Sequence, residues 1–180
     1  MATPSITYEA ALVLLVPEAE PLVGPLRAKY DPVLPMGVPA HITINYPFLP
    51  GVEPSQQRLA ELARLVGGSD PFPFNLTRLA RFPDVVYLEP EPAEPFVALI
   101  ERVADRFPDS PPFGGEFKTI VPHLTVAQSD DLEELLEVER KLREISRGVL
   151  PISAIAKSVW LMDDRNGRWE RRREFPLGGI

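Results

Sequence analysis

Short hydrophobic runs separated by polar, proline-rich segments recur along the chain. Runs that are almost continuously apolar, or in which apolar and polar residues alternate, are typical of β-strands, because successive side chains point to opposite faces of a sheet. The pattern predicts strands over residues 8–16, 41–48, 72–82, 85–89, 120–128, 150–162 and 168–175. Turn-forming pairs, Pro83-Asp84 and Asn166-Gly167, separate consecutive strands and predict two hairpins.

Amphipathic segments lie between these strands. Apolar residues recur every three or four positions over residues 18–30, 55–66, 94–107 and 132–145, which predicts four helices. Pro25 lies inside the first helix and predicts a break or a late start, because proline lacks the N–H that an α-helix uses. The apolar stripe predicted for the last helix consists of Leu132, Leu135, Leu136, Glu139 and Leu142.

The order of elements repeats. Strand, helix, loop, strand, helix and hairpin occur over approximately residues 8–84 and again over residues 85–176. A duplicated unit usually packs about a pseudo-two-fold axis, which would place equivalent strands side by side. We therefore expect a single α+β domain over residues 1–180, with two lobes, two mostly antiparallel sheets and the helices packed outside.

Composition and charge narrow the class of partner. The 180 residues include 26 acidic side chains and 19 Lys or Arg, which gives a net charge of −7. We expect no coating of long nucleic acid, because such binding depends on Lys and Arg neutralising phosphates. A small anionic ligand in one local pocket remains compatible with this charge. The absence of cysteine excludes disulfides, thiolate metal sites and cysteine nucleophiles.

The N-terminal segment lacks the pattern of a secretory signal, and the apolar run at residues 10–16 is too short to span a membrane. We expect a cytoplasmic monomer with no membrane partner.

Both histidines of the chain are followed two positions later by threonine. The tripeptides are His41-Ile42-Thr43 and His123-Leu124-Thr125, and each lies in a predicted strand, at the same place in its copy of the repeat. Residues i and i+2 of a strand point to the same face, so each histidine shares a face with its threonine. Two such strands facing one cleft would form a cage of two imidazoles and two hydroxyls.

This cage suits the opening or closing of a phosphodiester without a metal or other cofactor. Histidine titrates near neutral pH, so one imidazole can remove a proton while the other protonates the leaving oxygen. Threonine hydroxyls can hold the non-bridging phosphate oxygens. Two alternatives remain open: the histidines are structural and bonded to backbone carbonyls, or they bind a metal with carboxylates such as Asp84 or Asp163.

The segments HITINYPF and PHLTVA resemble the motifs of the 2H phosphoesterase superfamily, and in particular its bacterial 2′-5′ RNA ligase-like (cyclic phosphodiesterase) branch. The segment FPDVVYLEP and the long helix before the second motif extend the resemblance over nearly the whole chain. The resemblance implies a bilobal fold whose two motifs line a central cleft.

The same resemblance implies a role in RNA processing. It implies hydrolysis of 2′,3′-cyclic phosphate ends of RNA or related nucleotides, with reversible 2′-5′ ligation in some members. The substrate would be a small nucleotide or an RNA 3′ end. By this resemblance His41 and His123 are the acid/base pair, and Thr43 and Thr125 bind the phosphate.

Three further residues are candidate substrate contacts. Tyr46 and Phe48 follow the first motif, where an aromatic ring can stack on a nucleobase. Lys118 precedes the second motif, where its charge can offset that of a phosphate. Core packing is the alternative role for Phe48, and a surface position without function is the alternative for Lys118.

The basic stretch at residues 168–173 also has two interpretations. As a strand it places Arg171 and Arg173 on the face of Trp169, where they could meet a phosphate tail and a stacked base. Alternatively, its charges protect a sheet edge from association.

A non-catalytic module that binds a nucleotide or a phosphorylated metabolite is the competing functional class. An enzyme loses turnover when either histidine is replaced, whereas a binding module shows affinity without product.

Overall fold

The computed structural model describes residues 7–116 and 118–179. Residues 1–6, 117 and 180 of the predicted domain lie outside the described residues. The eight strands are β1 (Ala10–Leu15), β2 (His41–Asn45), β3 (Phe72–Arg81), β4 (Val85–Glu91), β5 (Leu124–Gln128), β6 (Ile152–Ala156), β7 (Ser158–Asp163) and β8 (Glu170–Pro176). The four α-helices are α1 (Glu20–Tyr30), α2 (Gln56–Gly67), α3 (Glu94–Arg106) and α4 (Leu132–Ile145). Short 3-10 turns precede α1 at Pro17–Ala19 and precede β5 at Pro112–Gly115.

The strands form one antiparallel sheet in the order β6-β3-β4-β5-β2-β1-β7-β8. The α+β class is confirmed. The two predicted sheets are two halves of this one sheet, and they are joined where β2 pairs with β5 through Ile42 and Leu124. The two motif-bearing strands are therefore neighbours at the centre of the sheet.

Each half of the sheet contains four strands, with its motif strand at the central junction. Outwards from that junction, one half contains β2, β1, β7 and β8, and the other contains β5, β4, β3 and β6. The hairpins are β7–β8 in the first half and β3–β4 in the second. The strands β7 and β8 follow the second motif in sequence, but β7 pairs with β1, in the half of the sheet that contains the first motif. The division of the repeat near residue 84 remains a prediction.

The single strand predicted over residues 150–162 is wrong. It is two strands, β6 and β7, separated only by Lys157. β6 pairs with β3 at one edge of the sheet, whereas β7 pairs with β1 and β8 near the other edge. One residue can connect the two places only because the sheet curls until its ends approach each other. The Lys157 carbonyl accepts a hydrogen bond from the Leu177 N–H at 2.8 Å and fixes this passage.

The helices match their predicted positions, with two differences. α1 continues through Pro25 without a break, and its buried side chains Leu22, Leu26 and Tyr30 hold it against the sheet. In α4 the buried face is Leu135, Val138 and Leu142. The predicted stripe is therefore displaced, since Leu132 and Leu136 are about half exposed, at 52% and 48%.

All four helices pack on one face of the sheet and form the main core. Leu12 and Leu14 of β1 point into it, together with Ile42 and Leu124. A second, smaller apolar cluster covers part of the opposite face, and we call it the second cluster. It consists of Ala11, Val13, Val38 and Met162, with Leu15, Val33, Tyr46, Trp160 and Trp169 packed around them. Burial on both faces explains why β1 is almost continuously apolar.

Within the described residues, no helix is both long and apolar enough to cross a membrane.

Candidate active site

The two H-x-T tripeptides lie side by side. His41 is the first residue of β2, whereas His123 immediately precedes β5, because that strand begins at Leu124. The strand predicted over residues 120–128 is therefore too long at its start, where Pro122 lacks an N–H for the ladder. Ile42 and Leu124 pair directly and are fully buried in the main core. The histidines and threonines that flank them consequently point to the opposite face.

The antiparallel register arranges the four polar side chains as a quadrilateral. Because Ile42 is opposite Leu124, continuing the register by one residue places His41 opposite Thr125 and Thr43 opposite His123. Directly opposed Cβ atoms are about 4.5–5.5 Å apart, and diagonal ones about 7–8 Å. The histidines occupy one diagonal and the threonines the other. All four residues are half-buried.

Both imidazoles are held in the same orientation by the backbone. Nδ1 of His41 lies 2.8 Å from the Pro39 carbonyl oxygen, and Nδ1 of His123 lies 2.8 Å from the Val121 carbonyl oxygen. A carbonyl oxygen only accepts, so each Nδ1 carries a proton and donates it. Each Nε2 is then the basic nitrogen of the neutral ring and is available to a ligand.

Burial makes both histidines weaker bases than in water. It lowers the pKa of His41 to about 4, and the nearby Arg27 charge adds to this effect. Burial also lowers the pKa of His123. Both rings are therefore neutral near pH 7 when no ligand is present. An anionic phosphate beside them would favour the protonated form and raise both pKa values.

A buried ion pair organises the segment that leads into His41. Nε of Arg27 lies 2.9 Å from Oδ2 of Asp31, with both side chains almost fully buried. Nη2 of Arg27 donates to the Val38 carbonyl at 3.0 Å. The N–H of Ala40 donates to Oε1 of Glu20 at 2.6 Å. These contacts fix the backbone on both sides of the Pro39 carbonyl that orients His41.

Aromatic rings surround His123 instead. Phe82 meets its ring edge-on at a centroid distance of 5.1 Å, Tyr87 lies at 5.4 Å, and Phe113 stacks at 6.2 Å with an interplanar angle of 23°. Tyr87 is the strand partner of Thr125. Sequence reasoning missed these three rings as site residues. Only Tyr87 had a signal in the sequence. In the strand Val85–Glu91, Val86 and Leu88 face the core, so alternation places Tyr87 on the face that carries the motifs.

The loop that carries Phe113 is fastened to the end of the first motif strand. Phe113 donates its N–H to the Tyr46 carbonyl at 2.8 Å, and the Asn45 side chain donates to the Ser110 carbonyl at 2.8 Å. The Leu49 N–H donates to Oγ of Ser110 at 2.7 Å. Phe113 has a φ of 51°, a left-handed conformation that is uncommon for a bulky residue. This strained position presents its ring to His123.

The other candidate contacts have different outcomes. Phe48 as a substrate contact is wrong: it is 1% exposed and packs edge-on against Phe107 at 5.3 Å in the main core. Tyr46 is half-buried in the second cluster, with its ring 6.2 Å from that of Trp169 and its hydroxyl donating to Glu9 at 2.6 Å. Lys118 is exposed. Tyr46 and Lys118 remain predictions.

The structure also tests the metal alternative. Among residues 7–116 and 118–179, no group of three or more His, Asp or Glu side chains is arranged to hold a metal ion. Asp163 is instead engaged by Arg165 and Arg172, at 2.7 Å from each.

Comparison with known proteins gives relatives over most of the chain. A protein of Geobacillus kaustophilus whose name proposes a phosphoesterase activity is 27% identical over 157 residues, covering 85% of this chain and 86% of its own. A relative from Bacillus pumilus with the same kind of name is 29% identical over 175 residues, covering 92% and 96%.

Solved structures show the same fold. Escherichia coli LigT complexed with 3′-AMP is 16% identical and covers 96% of this chain and 99% of its own, with a TM-score of 0.58. The protein TT0787 of Thermus thermophilus is 20% identical, covers 95% and 98%, and has a TM-score of 0.57. The family model described as the 2′-5′ RNA ligase superfamily matches residues 15–168. The chain therefore belongs to the 2′-5′ RNA ligase superfamily.

Proposed function

We propose that this protein is a metal-independent phosphodiesterase that hydrolyses 2′,3′-cyclic phosphate ends of RNA or related nucleotides. The observation that carries the proposal is the register of β2 and β5, which brings two imidazoles and two hydroxyls to one patch of the sheet. The relatives named for phosphoesterase activity support the reaction class. The 3′-AMP bound to LigT supports a nucleotide ligand.

The geometry suggests how the reaction proceeds. A phosphate seated among the four side chains would accept hydrogen bonds from the Thr43 and Thr125 hydroxyls. Nε2 of one histidine takes a proton from water as the water oxygen bonds to phosphorus. Nε2–H of the other histidine gives its proton to the ribose oxygen as the phosphorus–oxygen ester bond breaks. The products are a phosphomonoester and a free hydroxyl, and a proton has moved from one ring to the other.

Assigning acid and base does not require different tautomers in the resting protein, because both rings present Nε2. The general acid must first gain a proton, which the lowered pKa values oppose in the empty site. The negative charge of the bound phosphodiester reverses this preference. Acid and base assistance each contribute roughly 10²–10⁴ in rate.

The test is turnover of a panel of nucleoside 2′,3′-cyclic phosphates with EDTA present. We expect activity in EDTA and its loss, by at least about 10²-fold, in His41→Ala and in His123→Ala. Wild-type turnover in either histidine variant would refute the acid/base assignment. Complete loss of wild-type activity in EDTA, restored by a divalent ion, would refute the metal-independent mechanism.

The threonines have a matched pair of variants. Thr43→Val and Thr125→Val keep the side-chain shape but remove a hydrogen bond to a charged group, so kcat/KM should fall by about 10–100-fold. Thr43→Ser and Thr125→Ser keep the hydroxyl and should retain most of the activity. Equal losses in the Val and Ser variants would contradict a phosphate-binding role.

The family description favours 2′-5′ RNA ligation as a second candidate reaction. The same cage would serve it, because attack on the cyclic phosphate by the 5′-hydroxyl of a second RNA end, instead of water, forms a 2′-5′ phosphodiester as the bond between phosphorus and the 3′ oxygen breaks. Incubating RNA halves that carry cyclic phosphate and 5′-hydroxyl ends distinguishes joined from hydrolysed product. Affinity for nucleotides with neither product would identify a non-catalytic binding module.

A further inference from the structure

The face of the sheet that carries the motifs also bears an aromatic and basic surface at β7 and β8. Trp160 belongs to the second cluster and is half-buried. The guanidinium carbon of Arg171 lies 5.2 Å from the centre of the Trp160 ring, and the Arg171 side chain is exposed. We call these two residues the Trp160–Arg171 surface.

This surface lies in the same row of the sheet as the first motif. Thr43 is the strand partner of Val13, and Val13 is in turn the strand partner of Trp160. Neighbouring strands are about 4.8 Å apart, so the backbone at Trp160 lies roughly 10 Å from that at Thr43 in the same row. Val13 lies between them in this row and is buried in the second cluster, at 2% exposure. A nucleic-acid strand whose terminal phosphate lies at Thr43 has its next nucleotide within reach of Trp160.

A bulge in β8 determines which arginine faces the site. Arg171 pairs with Met162 and Arg173 pairs with Leu161, with the register shifting between them. Met162 belongs to the second cluster and Leu161 to the main core, so the two arginines lie on opposite faces. Arg173 accordingly lies over Phe175 of the core side, and the expectation that both arginines share one face is wrong.

The charge of Arg171 is not neutralised by a carboxylate. Within the described part of the chain, Arg171 forms no ion pair, whereas the neighbouring Arg172 pairs with Asp163 and Glu170. This lone cation lies on the motif face of a protein in which acidic residues outnumber Lys and Arg, 26 to 19. Protection of the β8 edge requires only an exposed charge, and it does not require that charge to stack on a tryptophan.

We propose that Trp160 and Arg171 form a subsite for the nucleotide adjoining the reacting phosphate. Trp160 would stack on its base, and Arg171 would contact its phosphate. The preferred substrate is then an oligonucleotide with a cyclic phosphate end, rather than a mononucleotide. This inference rests on the proposed function for the position of the reacting end, and its own evidence is the Trp160–Arg171 surface.

The kinetic test compares a trinucleotide ending in a 2′,3′-cyclic phosphate with the corresponding cyclic mononucleotide. In Arg171→Gln, the ratio of the two kcat/KM values should fall about tenfold. The slope of log kcat/KM for the trinucleotide against log salt should become shallower by about 0.7, as expected for one lost contact to single-stranded phosphate. The matched control is Arg173→Gln, which should leave the ratio at its wild-type value.

A binding test separates this inference from the proposed reaction. The chain has two tryptophans, so Trp169→Phe leaves Trp160 as the only indole. A trinucleotide with a 3′-phosphate, which has no cyclic end to hydrolyse, should quench its fluorescence saturably. If Trp169→Phe fails to fold, Trp160→Phe in the otherwise natural chain should abolish the quenching that the wild type shows.

The outcomes are distinct. Saturable quenching without hydrolysis of any cyclic substrate would refute the proposed function and retain the subsite. Hydrolysis without quenching, or an unchanged substrate ratio in Arg171→Gln, would overturn the subsite. A change only in self-association in Arg171→Gln would identify Arg171 as edge protection and overturn it as well.

Discussion

The two imidazoles share a tautomer but differ in their surroundings, and their titration reports this difference. His41 adjoins a buried ion pair, whereas His123 is surrounded by aromatic rings. We predict that NMR titration of the two histidine ring signals gives a pKa of about 4 for His41 and a pKa below 6.5 for His123. Inorganic phosphate should raise both values. No change with phosphate would contradict the anion site.

The lowered pKa of His41 also makes folding depend on pH. In the unfolded chain His41 has its ordinary pKa of 6.5, so unfolding takes up a proton between about pH 6.5 and 4. Stability is therefore fully present above pH 6.5 and decreases as the pH falls through this window, by up to ~1.4 kcal/mol per pH unit. Denaturant unfolding at several pH values should show a shallower dependence in His41→Gln than in the wild type.

The buried ion pair of Arg27 and Asp31 also contributes to stability. Arg27→Met removes the cation but leaves the Asp31 carboxylate buried, which should lower the free energy of unfolding by about 3–5 kcal/mol. Arg27→Met combined with Asp31→Asn removes both charges and should cost less than the single change. Denaturant unfolding of the wild type and the two variants measures this difference. A double variant less stable than Arg27→Met would show that the unpaired charge is not the cause.

Side-chain patterns predicted the motifs but not what holds them. The i and i+2 spacing of each histidine and threonine is a property of one strand, so it can be seen in the sequence. The acceptors of the two Nδ1 protons are backbone carbonyls of Pro39 and Val121, which carry no side-chain signal. Phe48 has the residue type of a stacking partner, but the chain turns its ring into the main core.

At the scale of elements, the loop before the second motif is attached to the end of β2 through Ser110. Ser110 is fully buried, and its Oγ is the acceptor for the Leu49 N–H. Ser110→Ala leaves that N–H without a partner and should cost about 1–3 kcal/mol of stability. Because the same loop presents Phe113 to His123, kcat/KM should also fall. Thermal unfolding and turnover check both effects, and Ser129→Ala, on the exposed turn after β5, serves as a control.

Element boundaries were predictable where local signals determine them. α4 has the predicted bounds because Asp131 caps it, accepting from the Glu133 N–H at 2.9 Å. The break at Lys157 was not predictable, because alternation of apolar and polar residues continues across it from β6 into β7. Which neighbour each strand pairs with depends on the curl of the whole sheet, and a two-residue period contains no information about it.

At the scale of the molecule, the two halves share one sheet and one core. The main core includes side chains from all four helices and from both halves of the sheet. The chain also crosses between halves, since β7 and β8 complete the half that contains β1 and β2. The duplicated order of elements was visible in the sequence, but this exchange of strands was not, because both hairpins have the same local pattern.

A continuous core predicts that neither half unfolds alone. Both tryptophans, Trp160 and Trp169, lie in or beside the strands of one half, so their fluorescence reports on that half. Far-UV circular dichroism reports on all helices and strands. We predict that the two signals change at the same denaturant midpoint with the same slope, as in a two-state transition. A fluorescence midpoint clearly separate from the dichroism midpoint would show that the halves are independent folding units, and that the β2–β5 junction beneath the histidines can open without loss of the rest.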